Sequence, residues 1–140
     1  MRARHFLLPA LGRHADLGVL ALRVFVGAFL VWGVLDNVTS AGRMEEFVKF
    51  VRANGFPWPG FMARLSVWAQ LVCGGLLIAG LLTRLAGIVM CGHFIVAVAM
   101  VHWGQDFRGQ WPALILVFVC AFFALNGGGR WSLDRALGDR

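Results

Sequence analysis

The chain has little charge and little polarity for its length. Only 14% of its 140 residues are charged and none is tyrosine, whereas 59% are hydrophobic. In soluble domains about a quarter of the residues are charged. A water-soluble fold of this size could not enclose so much apolar surface. From Phe61 to Trp103 the strongly polar side chains are few: Arg64, Gln70, Arg84, His93 and His102.

Several familiar chemical signatures are also missing. The sequence has no phosphate-binding loop, no nucleophile elbow and no pair of carboxylates in an apolar run, which argues against ATPase, hydrolase and proton-coupled transporter functions. The three cysteines, Cys73, Cys91 and Cys120, are isolated within apolar runs. We therefore expect no metal site and no disulfide-based chemistry.

Four apolar runs are long enough to cross a bilayer, which takes roughly 20 helical residues. They cover about residues 17–35, 61–82, 85–103 and 112–125. The first run is longer than the core of a cleaved signal and reads as a membrane span. The sequence predicts one all-α membrane domain over residues 1–140, an integral four-helix antiparallel bundle. The boundaries of the fourth span could extend through Gly109 or Gly128, and Pro112 is acceptable at a first helical turn.

The connection from Val38 to Gly60 carries its own helical pattern. Apolar residues at Met44, Phe47, Val48 and Val51 follow the i, i+3, i+4, i+7 spacing of one helix face. This pattern predicts a short interfacial helix between the first and second spans. It could act as a lid over the outer face or as a simple interfacial anchor.

The net charge of +6 is best explained by membrane topology. With both termini in the cytoplasm, basic residues show a mild excess on the inner side. We therefore expect a multi-pass protein of the bacterial plasma (inner) membrane that contacts anionic lipid and binds no nucleic acid.

Arg23 is the charged residue expected inside the first span. At 1.5 Å per residue it should lie about 9 Å below the inner boundary. Such a group has a functional role by default, but an arginine near a helix end also serves as a topology anchor. Both interpretations stay open, as does its partner, which could be Asp16 or a phospholipid.

Other polar residues are expected to meet in the outer half of the bundle. Gln70, His102 and Asp36 fall there in an antiparallel arrangement, with Gln110 on a short loop above them and Trp32 on the first span. A neutral histidine could exchange a proton with a quinone-type oxygen in such a pocket. The structural alternative is that Gln70 and His102 only cross-bond helices.

His93 is predicted to point away from this pocket. It lies nine residues before His102, about half a turn out of phase in a regular α-helix. The two histidines should therefore not serve one site. Helix packing is expected at small residues, where backbones can approach closely: Gly74, Gly75, Gly87 and Cys91.

The order of these features resembles the DoxX family. The similarity is carried by the run from Gln70 to Ala86, by Leu22-Arg23, by His102, and by Gly127-Gly-Gly-Arg-Trp-Ser-Leu-Asp134. Members are small four-helix membrane proteins. The resemblance implies association with membrane oxidoreductases, including quinone-linked oxidation of thiosulfate or thiols.

The chain departs from the family pattern at three polar positions. Many members have His-Gly-x-x-Lys where this chain has Trp32-Gly33-Val34-Leu35-Asp36, a glutamate in place of Gln70, and an acidic residue near Gln110. The expected function is a small subunit or accessory of a membrane redox system, with quinone as a possible non-covalent ligand and oxidoreductase subunits as possible partners. The alternative is a non-catalytic scaffold or assembly subunit. Catalytic activity of its own and oligomeric state stay open.

Overall fold

The computed structural model describes residues 12 and 14–138, and the regular elements in that part of the chain are helices. In chain order they are α1 (Ala15–Thr39), α2 (Ala41–Ala53), α3 (Pro59–Ala79), α4 (Thr83–Ala97), α5 (Phe107–Asn126) and the short α6 (Leu133–Ala136). A π-helical turn, Val98–His102, extends α4.

The four predicted spans are confirmed. Four helices are long and apolar enough to cross a membrane: α1, α3, α4 with its π turn, and α5. The second, third and fourth spans follow one another through short connections, and α2 lies in the connection between the first and second; the four spans run antiparallel. The fourth span, α5, begins at Phe107, so Pro112 lies inside it and not in its first turn. Both described chain ends lie at one end of the bundle, which we call the terminal end; the opposite end, which holds α2, is the loop end.

The spans associate as two pairs, α1 with α3 and α4 with α5. In the first pair, a Cβ added to Gly74 would lie 2.8 Å from the carbonyl oxygen of Gly27. In the second, a Cβ on Gly87 would lie 2.6 Å from the backbone nitrogen of Ala124. Both glycines therefore permit close helix approach, as predicted.

Gly75, the neighbouring glycine, makes no close helix contact within this chain. A Cβ at that position would meet no atom within 4 Å. Gly75 follows Gly74 by one residue, about 100° around the helix, and so faces away from α1. Cys91 is partly buried and packs against the core, as predicted.

The core runs between the two pairs, and the outer surface is strongly apolar. Leu30, Leu77, Met90 and Phe123 are almost fully buried. Large hydrophobic side chains point outward instead, including Trp32, which is 79% exposed. This distribution is the one expected when the solvent is lipid.

The interfacial helix is present as α2. Met44, Phe47, Val48 and Val51 are its least exposed residues, as their spacing predicted. Ser40 caps its first turn by accepting a hydrogen bond from the Arg43 backbone N–H at 3.4 Å. The helix packs on α1 and α3 at the loop end.

Candidate functional site

A cavity of about 530 Å³ lies at the loop end, between α3 and α4 and under α2. Ligand sites of proteins commonly have volumes of 300–1,000 Å³. Its wall is largely apolar, with Phe47, Phe50 and Val51 from α2 and Met62 and Leu65 from α3. It occupies the seam where the two helix pairs meet, because α3 and α4 pack less closely together than the helices within each pair.

Four polar side chains with hydrogen-bonding capacity line this apolar wall: Ser66, Gln70, His93 and His102. The amide of Gln70 donates to the Ser66 hydroxyl at 3.4 Å. The ring of His93 meets the ring of Phe94 edge to face, with centroids 5.0 Å apart. The arrangement is a lipophilic pocket with a few polar groups, which is typical of small-molecule sites.

The prediction that the two histidines could not serve one site is wrong. Both line the same cavity. The reason is the π-helical turn at Val98–His102, which takes up more residues per turn than an α-helix. The phase calculated for a regular α-helix therefore fails across this turn. Turns of this kind occur frequently at functional sites.

Hydrogen bonds around His102 favour one tautomer of its ring. The Gln105 amide nitrogen donates to the Val101 carbonyl at 3.3 Å. The Gln105 amide oxygen therefore faces His102 Nδ1, at 3.0 Å. An amide oxygen only accepts, so Nδ1 of His102 donates to it. In the neutral ring Nε2 is then a hydrogen-bond acceptor.

Three other predicted ligand residues, Asp36, Trp32 and Gln110, are not part of the cavity wall. Asp36 lies 3.8 Å from the guanidinium of Arg43, linking the end of α1 to α2. The Gln110 amide donates to the Gln105 carbonyl at 2.7 Å. Trp32 is on the outer surface of α1.

The terminal end is built differently, around buried Arg23. This side chain is only 2% exposed. Its guanidinium donates to the carbonyl of Gly128 at 3.1 Å and to that of Trp131 at 2.8 Å. Neither predicted partner, Asp16 nor lipid, is needed: Arg23 fastens the segment after α5 to the first span. We call residues 127–136, held in this way, the clasp.

Asp134 forms the second attachment of the clasp. Its carboxylate accepts from the backbone N–H groups of Leu82 at 2.6 Å and Thr83 at 2.8 Å. It thereby caps the start of α4, which has no capping side chain of its own. Burial would raise the pKa of Asp134, but hydrogen bonds from Thr83 and Leu82 and the charge of Arg23 outweigh burial and lower it.

Two further contacts complete the terminal end. The backbone N–H of Arg130 donates to the Asp16 carboxylate at 3.0 Å. The Arg84 guanidinium donates to the carbonyls of Ala124 and Leu125 at the end of α5. Sequence reasoning missed this assembly. The available signal was the uncapped helix start at Leu82-Thr83, which requires an acceptor from elsewhere in the chain.

Within residues 14–138, no group of three or more His, Cys, Asp or Glu side chains is placed to hold a metal ion. Cys73 and Cys120 are buried as free thiols.

Comparison with known proteins identifies the class. The family model of DoxX matches residues 18–103, more than half of the chain. The chain therefore belongs to the DoxX family and is a multi-pass membrane protein. The match includes the first three spans and α2, whereas α5 and the clasp lie beyond it.

Two curated relatives resemble the chain over most of its length. An uncharacterized membrane protein of Mycobacterium tuberculosis is 28% identical, over 87% of this chain and 82% of the relative. A Bacillus subtilis protein named "Putative oxidoreductase CatD" is 30% identical, over 85% of this chain and 86% of the relative. No solved structure gives a significant match.

Proposed function

We propose that the loop-end cavity binds a lipophilic ring compound of the quinone type and that the protein serves a membrane redox system as a small subunit or accessory. The observation that carries the proposal is the cavity itself, an apolar space of about 530 Å³ lined by Gln70, His93 and His102. A quinone ring is flat and apolar and has two oxygens on its edge. Such a wall suits that chemistry.

The hydrogen bonds of His102 favour the reduced form of the ligand. Its Nδ1 is committed as a donor to Gln105. In the neutral state Nε2 can accept a hydrogen bond from a ligand hydroxyl but cannot donate one to a carbonyl. We therefore expect a hydroquinone to bind better than the corresponding quinone. Gln70 has both a donor and an acceptor and can pair with either form.

Helix α2 supplies the cover of this site. Phe47 and Phe50 stack with ring centroids 6.2 Å apart, and both line the cavity. The helix ends at Ala53, and the left-handed backbone of Trp58, with φ of 44°, redirects the chain into α3. We propose that α2 moves to admit the ligand, which develops the lid interpretation over that of a simple anchor.

The redox assignment is supported by the name of the Bacillus subtilis relative, "Putative oxidoreductase CatD". We propose the bacterial inner membrane as the location, with both termini in the cytoplasm. Arg84, Arg130 and Arg135 lie together at the terminal end, as the positive-inside rule expects of a cytoplasmic face. Mass spectrometry of the tagged chain purified from its native membrane in mild detergent tests the partner: stoichiometric oxidoreductase subunits support the subunit role, and a chain without them contradicts it.

The binding proposal is tested with a matched pair of glycine substitutions. Gly92 lines the cavity and a Cβ there would meet no atom within 4 Å. Gly75 is equally open but does not line the cavity. Binding of decylubiquinol to the purified protein should be abolished by Gly92→Phe and retained by Gly75→Phe. Equal loss in both variants, or binding retained in Gly92→Phe, would contradict the site.

His102 gives a second, finer test. His102→Ala should lower decylubiquinol affinity about tenfold, the value of one good hydrogen bond. It should change decylubiquinone affinity much less. The matched control is Trp32→Ala, which removes a large side chain outside the cavity. Unchanged affinity for both ligands in His102→Ala would exclude His102 from the site.

The scaffold alternative would use the small-residue faces of the helices for partner contacts. Two of these glycines are already occupied within the same chain, Gly74 by Gly27 and Gly87 by Ala124, whereas Gly75 is open. A bulky substitution at Gly74 now tests folding and not assembly.

A further inference from the structure

A second pocket, of about 390 Å³, lies at the terminal end and differs sharply from the first. Its wall is polar, formed by the start of α1, the start of α4 and the clasp. Three arginines line it, Arg84, Arg130 and Arg135, together with Asp16 and Asp134. Nothing in the proposed redox role uses this pocket.

The two carboxylates of the pocket are already engaged with backbone groups. Asp16 accepts from the N–H of Arg130 at 3.0 Å. Asp134 accepts from the N–H groups of Leu82 and Thr83. They hold the loop in shape, and no carboxylate within residues 14–138 lies in ion-pair distance of the three guanidinium groups.

The ion pairs of the described residues lie away from this pocket. Among the residues with described positions, ion pairs occur only at Arg43, with Asp36 at 3.8 Å and Glu46 at 3.1 Å, both at the loop end. Arg84 donates to two carbonyls of α5, which are neutral acceptors. With Arg23 buried behind the clasp, the terminal end has an excess of positive charge over negative charge around an open polar cavity.

The position of the pocket indicates where its ligand comes from. It lies at the ends of membrane-spanning helices, where headgroups of lipids are found. Apolar side chains next to it point outward, with Leu125 80% and Leu85 53% exposed. An acyl chain could lie along these residues while its headgroup enters the pocket. Basic pockets between spans are established features of lipid recognition.

We propose that this pocket binds the phosphate group of an anionic phospholipid through Arg84, Arg130 and Arg135. Guanidinium groups pair with phosphate oxygens through charge-assisted, commonly bidentate hydrogen bonds. The same chemistry would suit a soluble phosphate compound. The lipid is the source favoured here because the pocket opens beside an apolar, lipid-facing surface.

The test compares two double variants of the full chain with equal loss of charge. Arg130→Gln with Arg135→Gln alters the pocket, and Arg52→Gln with Arg108→Gln alters exposed residues at the loop end. Binding of phosphatidylglycerol and of phosphatidylcholine to each purified protein is measured by native mass spectrometry. Stability in detergent is followed alongside, so that unfolding is not mistaken for loss of binding.

We expect the unmodified chain to prefer phosphatidylglycerol. The pocket variant should lose roughly 25-fold in affinity, about fivefold per arginine, and the loop-end variant should keep its affinity within about twofold. Equal binding of both lipids, or equal losses in both variants, would overturn the proposal. Inorganic phosphate is the third probe: if it displaces the lipid at comparable concentration, the phosphate site stands and its source is soluble, and if it does not, the lipid assignment stands.

Discussion

The two ends of the bundle differ in how the same membrane-spanning helices are held. At the terminal end, Arg23 and Asp134 tie the segment after α5 to α1 and α4 through hydrogen bonds. At the loop end, the spans separate around an apolar cavity covered by α2. We infer that the terminal end holds the bundle together, whereas the loop end can open for a ligand.

The largest effect on stability is expected from removing the Arg23 side chain, which lies at the centre of the terminal end. Arg23→Ala eliminates two hydrogen bonds from a charged donor, each worth roughly 1.5 kcal/mol, so a loss of about 3 kcal/mol is expected. The measurement is unfolding in mild detergent. Arg52→Ala, an exposed arginine on α2, is the control and should be nearly neutral. Similar stability of the two variants would remove the structural role assigned to the clasp.

The next effect separates two neighbouring glycines. Gly74→Ala would place a methyl group 2.8 Å from the Gly27 backbone and should destabilise by about 2 kcal/mol, a typical cost of overpacking. Gly75→Ala should be neutral or stabilise by roughly 0.5 kcal/mol, since alanine favours a helix. The same unfolding measurement decides. If both variants behave alike, the close approach of α1 and α3 is not as described.

A smaller effect is expected from changing the π turn at the loop end. Deleting Ala99 should restore a regular α-helix and rotate His102 away from the cavity. Decylubiquinol affinity should fall about tenfold, the value of one hydrogen bond.

A double-mutant cycle sharpens that deletion experiment. In the Ala99 deletion, a further His102→Ala change should cost nothing more, because the histidine has already left the site. Additive losses would show that the deletion acts by a different route.

The smallest effect is a pH dependence of the stability that Asp134 contributes at the terminal end. The pKa of Asp134 is lowered in the folded protein, so its ionised form stabilises the fold above the ordinary carboxyl pKa. This contribution is lost as the pH falls through the lowered value, below about pH 4. Asp134→Asn should therefore lose less stability than the unmodified chain over that range. Glu45→Gln, exposed on α2, should follow the unmodified chain, and a parallel response of all three would contradict the assignment.

The fold was largely predictable because lipid imposes a simple rule. Spans must be apolar along their whole length and satisfy their own backbone groups, so the four runs identified four helices. The interfacial helix was equally predictable, because Met44, Phe47, Val48 and Val51 share a face only in a helix. These four are the least exposed residues of α2, which confirms the pattern.

The site was less predictable because it depends on relations that a linear pattern does not contain. One π turn changes the phase between His93 and His102. The partners of Arg23 lie 105 and 108 residues away in sequence. Gly74 and Gly75 have the same composition signal, and only the position of α1 distinguishes them. Gln70 and His102 reached the cavity as predicted, whereas Trp32, Asp36 and Gln110 did not.

The most direct test of the division between the two ends is hydrogen–deuterium exchange of the full chain in lipid nanodiscs, with and without decylubiquinol. The account predicts that residues 127–136 are protected in both states, and that ligand adds protection only to α2 and to the region from Gly92 to His102. Protection gained at residues 127–136, or none gained at α2, would contradict it.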